Sequence, residues 1–156
     1  MSPRPVPRAL APLTLALCAA GAAVSGYLTV VHYTTTVKLA CSATGIINCE
    51  KVTTSAQSMV GGIPVALLGV VFFAVAAVLC LPAAWRSNSQ AVRVARLAWM
   101  LGGALMMIHL IYAELFQIDA ICLWCTAVHV ILVALFIAVV VGEAMVSEPQ
   151  ASTTTD

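Results

Sequence analysis

Cys122-Leu123-Trp124-Cys125 opens the apolar run Ile121–Val141, directly after a short polar break at residues 117–119. Two thiols three residues apart at the head of a helix are typical of a redox pair, because the free N–H groups and dipole of a helix N-terminus favour the thiolate. Zinc sites use the same spacing, so the motif alone leaves that alternative open. The run behind it is long enough to cross a hydrocarbon core, which needs about 20 residues.

The composition of the whole chain is that of a membrane protein. Its 156 residues are 62% hydrophobic and only 8% charged, with a mean hydropathy of +1.05. Such a chain has too little polar surface to cover a globule in water. The formal net charge of +1 gives no electrostatic reason to expect nucleic-acid binding.

Four apolar segments are expected to cross the membrane, at about residues 10–33, 63–84, 97–116 and 121–141. The predicted fold class is an all-α integral membrane protein, a four-transmembrane-helix bundle over residues 9–142. A cytoplasmic N-terminus (1–8) and a disordered cytoplasmic tail (143–156) flank it. A cleavable signal peptide is the alternative for the first segment. An uncleaved span is favoured because the apolar run continues through Tyr27–Tyr33, beyond the length of a cleavable core.

A loop between the first two spans, residues 34–62, carries the second cysteine pair. Cys41 and Cys49 have Gly45 between them for a turn. From Val52 the apolar residues recur at three to four residue spacing, which predicts a short amphipathic helix on the membrane surface. Gly61-Gly62 is expected to end that helix, and Pro64 to open the second span.

The distribution of basic residues predicts the orientation. The loop 34–62 holds only Lys38 and Lys51, whereas five arginines lie in the N-terminus and the link after the second span: Arg4, Arg8, Arg86, Arg93 and Arg96. Because cytoplasmic loops carry the excess of Lys and Arg, both termini are expected to be cytoplasmic. The cysteines of the loop and of the C-x-x-C motif then lie on the outer side, where disulfides persist. Cys18 and Cys80 lie toward the inner side and are expected to be packing residues.

Cys122, Cys125 and His129 share one helix face, since they fall within roughly 60° of one another at about 100° per residue. A loop pair can collect electrons, and a helix pair can pass them to an acceptor dissolved in the lipid. A quinone is the natural candidate for a lipid-soluble two-electron acceptor. His109 and Glu114 lie on the third span in its outer half, where bundle packing or interface exposure is favoured over a role at a quinone pocket.

These motifs resemble the vitamin K epoxide reductase family in its short bacterial form, without a fused thioredoxin-like domain. The resemblance covers nearly all of residues 24–140. It rests on four features: Cys41-Ser-Ala-Thr-Gly-Ile-Ile-Asn-Cys49, Ser55, Gly62-Ile63-Pro64-Val65 and Cys122-Leu-Trp-Cys125. DsbB-type oxidases carry the two cysteine pairs in the reverse order.

The resemblance implies a role for each cysteine. Cys41 would react with the thiol of a reduced DsbA-like thioredoxin-fold partner, freeing Cys49 to attack Cys122. The released Cys125 thiolate would then reduce the quinone, menaquinone or ubiquinone. Ser55 matches a hydroxyl residue near the quinone, and His129 stands where the vertebrate enzymes carry a quinone-contacting tyrosine.

The implied activity is disulfide generation by a thiol:quinone oxidoreductase in the bacterial inner membrane. Its alternative within the family is reduction of vitamin K quinone or epoxide. Two hypotheses outside the family are a non-enzymatic four-span protein with structural disulfides and a metal-handling protein that uses the outer thiols with His32 or His129. No metal site is predicted.

Overall fold

The computed structural model describes residues 8–34, 39–41 and 44–147, and most of these are helical. In chain order the elements are α1 (Leu10–Tyr33), α2 (Cys49–Thr53), β1 (Met59–Val60), β2 (Ile63–Pro64), α3 (Val65–Leu79), α4 (Pro82–Arg86), α5 (Gln90–Ala113) and α6 (Leu123–Ser147). A single 3-10 turn (Ala56–Ser58) precedes β1, and a π-helical turn (Glu114–Ile118) continues α5.

Three of the described helical segments are long and apolar enough to cross a membrane: Leu10–Tyr33, Gln90–Ile118 and Leu123–Val146. The remaining large helix, α3, is apolar but only 15 residues long. Much of the outer surface of these helices is apolar, as expected where lipid replaces water as the solvent. The chain is a helical membrane protein.

α1 packs against α3 and α6, and α5 packs against α6 and α3. Phe73, Met100 and Leu135 form the centre of the core, each at most 1% exposed. α1 and α3 approach closely because Gly21 has no side chain, and a Cβ atom there would lie 2.4 Å from the Phe73 ring. Cys18 and Cys80 lie fully buried in the same core.

The second and third apolar segments have different bounds from those predicted. α3 ends at Leu79 rather than near residue 84, because Pro82 begins a separate helix, α4, at the first position, where its missing N–H costs nothing. α5 begins at Gln90, seven residues before the predicted start, and the π-helical turn extends it to Ile118.

The loop before α3 also differs from the predicted amphipathic helix. The short helix there is α2, which begins at Cys49, and the side chain of Asn48 caps it by accepting a hydrogen bond from the Lys51 N–H at 3.0 Å. A β1–β2 hairpin replaces the rest of the helix. Gly61 and Gly62 make its two-residue turn with φ of +59° and +83°, as hairpin turns of this length require.

α6 continues to Ser147, beyond the predicted end near residue 141, so the start of the expected disordered tail is helical. Glu143 is 5% exposed because Arg93 and Arg96 both donate hydrogen bonds to its carboxylate. Arg96 also lies over the Trp85 ring, with its Cζ atom 3.6 Å from the ring centroid. The rest of the predicted tail (148–156) and the N-terminal residues 1–7 lie outside the described residues.

Candidate redox site

Cys41 and Cys49 form a disulfide, with their Cα atoms 6.1 Å apart. Between them, Thr44 and Ile47 pair across a turn in which Gly45 has a φ of +60°. Cys49 is 2% exposed at the start of α2, whereas Cys41 is partly exposed. The more accessible sulfur of this disulfide is therefore that of Cys41.

Cys122 and Cys125 are both reduced thiols at the head of α6. Cys122 immediately precedes the helix and is fully buried, and the Cys125 N–H donates a hydrogen bond to its Sγ atom at 3.3 Å. The pKa of Cys122 is lowered below its ordinary value, mainly because the Cys125 thiol donates a hydrogen bond to it. Burial opposes this effect, and the Cys125 N–H adds to it. In the reduced pair, the Cys125 thiol is thus a hydrogen-bond donor to Cys122.

Two backbone hydrogen bonds join the loop that holds Cys49 to the segment that ends at Cys122. The Asn48 N–H donates to the Ile121 carbonyl at 3.1 Å, and the Ile121 N–H donates to the Ile46 carbonyl at 2.9 Å. Asn48 and Ile121 each directly precede a cysteine. The structure thus places the two cysteine pairs in one buried cluster, which also includes Val52, Ile118 and Ala120.

The Cys41 side of the loop is held by aromatic residues. The Trp124 Nε1–H donates a hydrogen bond to the Ala40 carbonyl at 3.1 Å, and the Ala40 N–H donates to the Tyr27 hydroxyl at 3.3 Å. The Tyr27 and Trp124 rings contact each other, with centroids 4.8 Å apart. Trp124, which lies between the two C-x-x-C cysteines, therefore fixes the position of Ala40, directly before Cys41.

A cavity of about 690 Å³ adjoins this cluster, lined by α1, α3, α5, α6 and the segment after α2. Its walls are mainly apolar, and Ser55, Cys125 and His129 all border it. The Ser55 hydroxyl donates a hydrogen bond to the Val52 carbonyl at 2.7 Å. A mainly apolar cavity with a few polar side chains and this volume is typical of a small-molecule site and fits a quinone.

Glu114 belongs to the site, although the sequence favoured a packing role for it. It borders the cavity, is 7% exposed, and accepts a hydrogen bond from the Cys122 N–H at 3.4 Å. The available signal was a lone acidic residue in an apolar helix shortly before the C-x-x-C motif, since ionisable residues inside membranes are usually functional. His109, which the sequence placed at a similar depth on the same span, is exposed. Within the ranges that the structure describes, no group of three or more His, Cys, Asp or Glu side chains could hold a metal ion.

A protein-family model matches most of the chain. The family described as "Vitamin K epoxide reductase family" matches residues 12–140 of the 156. No curated protein matches the sequence. Membership of this family implies an oxidoreductase, and its members generally use quinones. The match spans all four large helices and both cysteine pairs, and the chain belongs to the vitamin K epoxide reductase family.

Proposed function

We propose that this protein is a membrane thiol:quinone oxidoreductase that generates disulfides for oxidative protein folding. Electrons pass from a reduced DsbA-like thioredoxin-fold partner through Cys41 and Cys49, then through Cys122 and Cys125, to menaquinone or ubiquinone. The observation that carries the proposal is that both cysteine pairs lie in one cluster, with Cys125 also bordering the cavity.

Cys41 is the first cysteine to react. A thiolate of the reduced partner attacks the Cys41 sulfur, the Cys41–Cys49 bond breaks, and Cys49 leaves as a thiolate. The exposure of the two sulfurs supports this order, because Cys41 is partly exposed and Cys49 is buried against the C-x-x-C segment.

Cys49 then attacks Cys122 in the second exchange. A new Cys49–Cys122 bond forms, the Cys122–Cys125 bond breaks, and the electron pair of that bond stays on Cys125. The hydrogen bond from the Asn48 N–H to the Ile121 carbonyl supports this step, since it holds the residues before the two reacting cysteines together. The released Cys125 borders the cavity.

A bound quinone supplies the two-electron acceptor for the disulfide-forming steps. Its flat, conjugated ring fits the mainly apolar walls, and Ser55 and His129 are the polar residues that we assign to its recognition. The second thiol of the partner closes the partner's disulfide and releases Cys41, which attacks Cys49 and frees Cys122. Cys125 borders the cavity. The Cys122–Cys125 disulfide re-forms when these two thiols give up two electrons and two protons to the acceptor.

We assign the protein to the bacterial inner membrane, with four spans, both termini in the cytoplasm and the four reactive cysteines outside. α3 alone would reach about 22 Å, less than the roughly 30 Å hydrocarbon core. The β1–β2 hairpin and α4 flank it at its two ends and complete the crossing. The arginines of the link between α3 and α5 support the orientation.

The test is quinone reduction by purified native protein supplied with a reduced thioredoxin-fold oxidase. The native protein should form one disulfide in the oxidase for each quinone reduced. Cys125→Ala should abolish quinone reduction without unfolding the helices, whereas Cys18→Ala, a change in the bundle core, should retain it. A native protein that oxidises thiols without consuming quinone would refute the proposal. A Cys125→Ala variant that loses only stability would favour a structural disulfide, and bound zinc would favour metal handling.

A further inference from the structure

Three groups that can each carry a negative charge lie together at the head of α6. Glu114 and Cys122 are 7% and 0% exposed, and the Cys122 N–H donates to the Glu114 carboxylate. The Cys125 thiol lies within hydrogen-bonding reach of both Cys122 and Glu114. A proton that leaves the Cys125 thiol therefore has Glu114 within hydrogen-bonding reach as an acceptor.

No salt bridge between described residues offsets these charges. Among the residues that the structure describes, the salt bridges of the acidic side chains are those of Glu143, at the opposite end of the bundle, and none reaches Glu114. Like charges a few ångströms apart in a low-dielectric site repel strongly. Two of the three groups ionised together would be costly, so the cluster favours keeping two protons when both cysteines are thiols, and one proton shared by Glu114 and Cys125 when Cys122 is in a disulfide with Cys49.

The backbone holds Glu114 in this position. The chain leaves the π-helical turn through Asp119, which has a left-handed φ of +50°, and folds back so that the Ala120 N–H donates to the Glu114 carbonyl at 3.1 Å. The side chain then meets the Cys122 N–H, eight residues later in the chain. The carboxylate is thus placed beside the C-x-x-C pair by a fixed turn of the main chain.

We propose that Glu114 is a catalytic residue that carries the proton of Cys125. When Cys49 attacks Cys122, the Cys122–Cys125 bond breaks and the electron pair stays on Cys125. Protonated Glu114 gives its proton to that sulfur and becomes a carboxylate. When this exchange runs in reverse, the Cys125 S–H bond breaks and the proton returns to Glu114. The Cys125 thiolate then attacks Cys122, the Cys49–Cys122 bond breaks, and Cys49 leaves as a thiolate. The same carboxyl group is the acid in one direction and the base in the other.

This inference rests on the proposed relay, but it can be tested without a quinone. The disulfides of quinone-free protein in detergent are opened with dithiothreitol, quenched with acid, alkylated and resolved by peptide mass spectrometry. Glu114→Gln keeps an oxygen for the Cys122 N–H but cannot transfer the proton. Opening of Cys122–Cys125 should slow by about 10²-fold, the low end of general acid–base catalysis. Opening of Cys41–Cys49 should keep its native rate, and Glu50→Gln, an exposed glutamate on α2, should leave both rates unchanged.

Chemical rescue separates proton transfer from a structural role. Glu114→Ala should also slow the opening of the Cys122–Cys125 disulfide. Added formate should restore part of that opening rate, whereas chloride at equal concentration should not. A Glu114→Gln variant that opens Cys122–Cys125 at the native rate would overturn the inference, as would a Glu114→Ala variant that formate does not restore. Failure of the native protein to reduce quinone would refute the proposed function instead, and is measured separately.

Discussion

The buried ion pair at the end of α6 predicts a large, specific loss of stability when its acid is removed. Glu143→Leu leaves Arg96, which is 1% exposed, without its counter-charge. Removing one partner of a buried pair typically costs about 3–5 kcal/mol. Arg96 would keep its hydrogen bond to the Leu79 carbonyl at 2.9 Å and its contact with the Trp85 ring. The side chain of Arg93 is already 29% exposed and can turn to the aqueous boundary. We therefore expect Glu143→Leu to lower the free energy of unfolding by about 3 kcal/mol, the low end of that range.

The measurement is equilibrium unfolding in mixed detergent micelles, followed by helical circular dichroism. A loss of about 3 kcal/mol lowers the ratio of folded to unfolded protein by roughly 10²-fold. Glu50→Leu, at an exposed position, is the control and should change stability little. The double variant Arg96→Met/Glu143→Leu should recover most of the loss, because no buried charge is left unpaired. A double variant no more stable than Glu143→Leu would refute this reasoning.

Two further predictions concern the path of electrons and the cavity. Cys49→Ala should form a stable mixed disulfide through Cys41 with a thioredoxin-fold oxidase. The oxidase carries a single exposed cysteine, which is first activated as a mixed disulfide with an aromatic thiol. The adduct is measured on a non-reducing gel, and an equal yield from Cys41→Ala would contradict this order. Gly102→Leu should fill part of the cavity and raise the KM for quinone about tenfold, equal to roughly 1.4 kcal/mol of binding. Gly26→Leu is the matched control: Gly26 lies outside the cavity, and a Cβ atom at either glycine meets nothing within 4 Å. Equal KM values for quinone in the Gly102→Leu and Gly26→Leu variants would contradict a role for the cavity.

The features predicted most closely from the sequence are those that local chemistry determines. The head of α6 next to Cys122 follows from the return of apolar residues after a polar break. A break at Gly61-Gly62 follows from the conformational freedom of two glycines, although it was expected to end a helix and instead forms a hairpin turn. α2 carried a readable signal in Asn48, a favoured N-cap residue directly before Cys49. The weak helical periodicity after Val52 predicted a longer helix. It gave no indication of the β1–β2 hairpin that is found there.

The features missed depend on contacts between distant parts of the chain. Glu143 reads as the first residue of a polar tail until the fold brings it to Arg93 and Arg96. Glu114 reads as a packing residue until a π-helical turn and a left-handed residue bring it back to Cys122. Neither the π-helical turn nor the pairing of Ile47 with Ile121 has a periodic signature in the sequence.

The central claim is that electrons pass from the loop pair to the helix pair through a bond between Cys49 and Cys122. The most direct measurement is peptide mass spectrometry, without reduction, of a Cys41→Ser/Cys125→Ser variant after mild oxidation. The account predicts a peptide pair linked by Cys49 and Cys122, because each of these cysteines has then lost its original partner. Recovery of both as free thiols, while the helices remain folded, would contradict it.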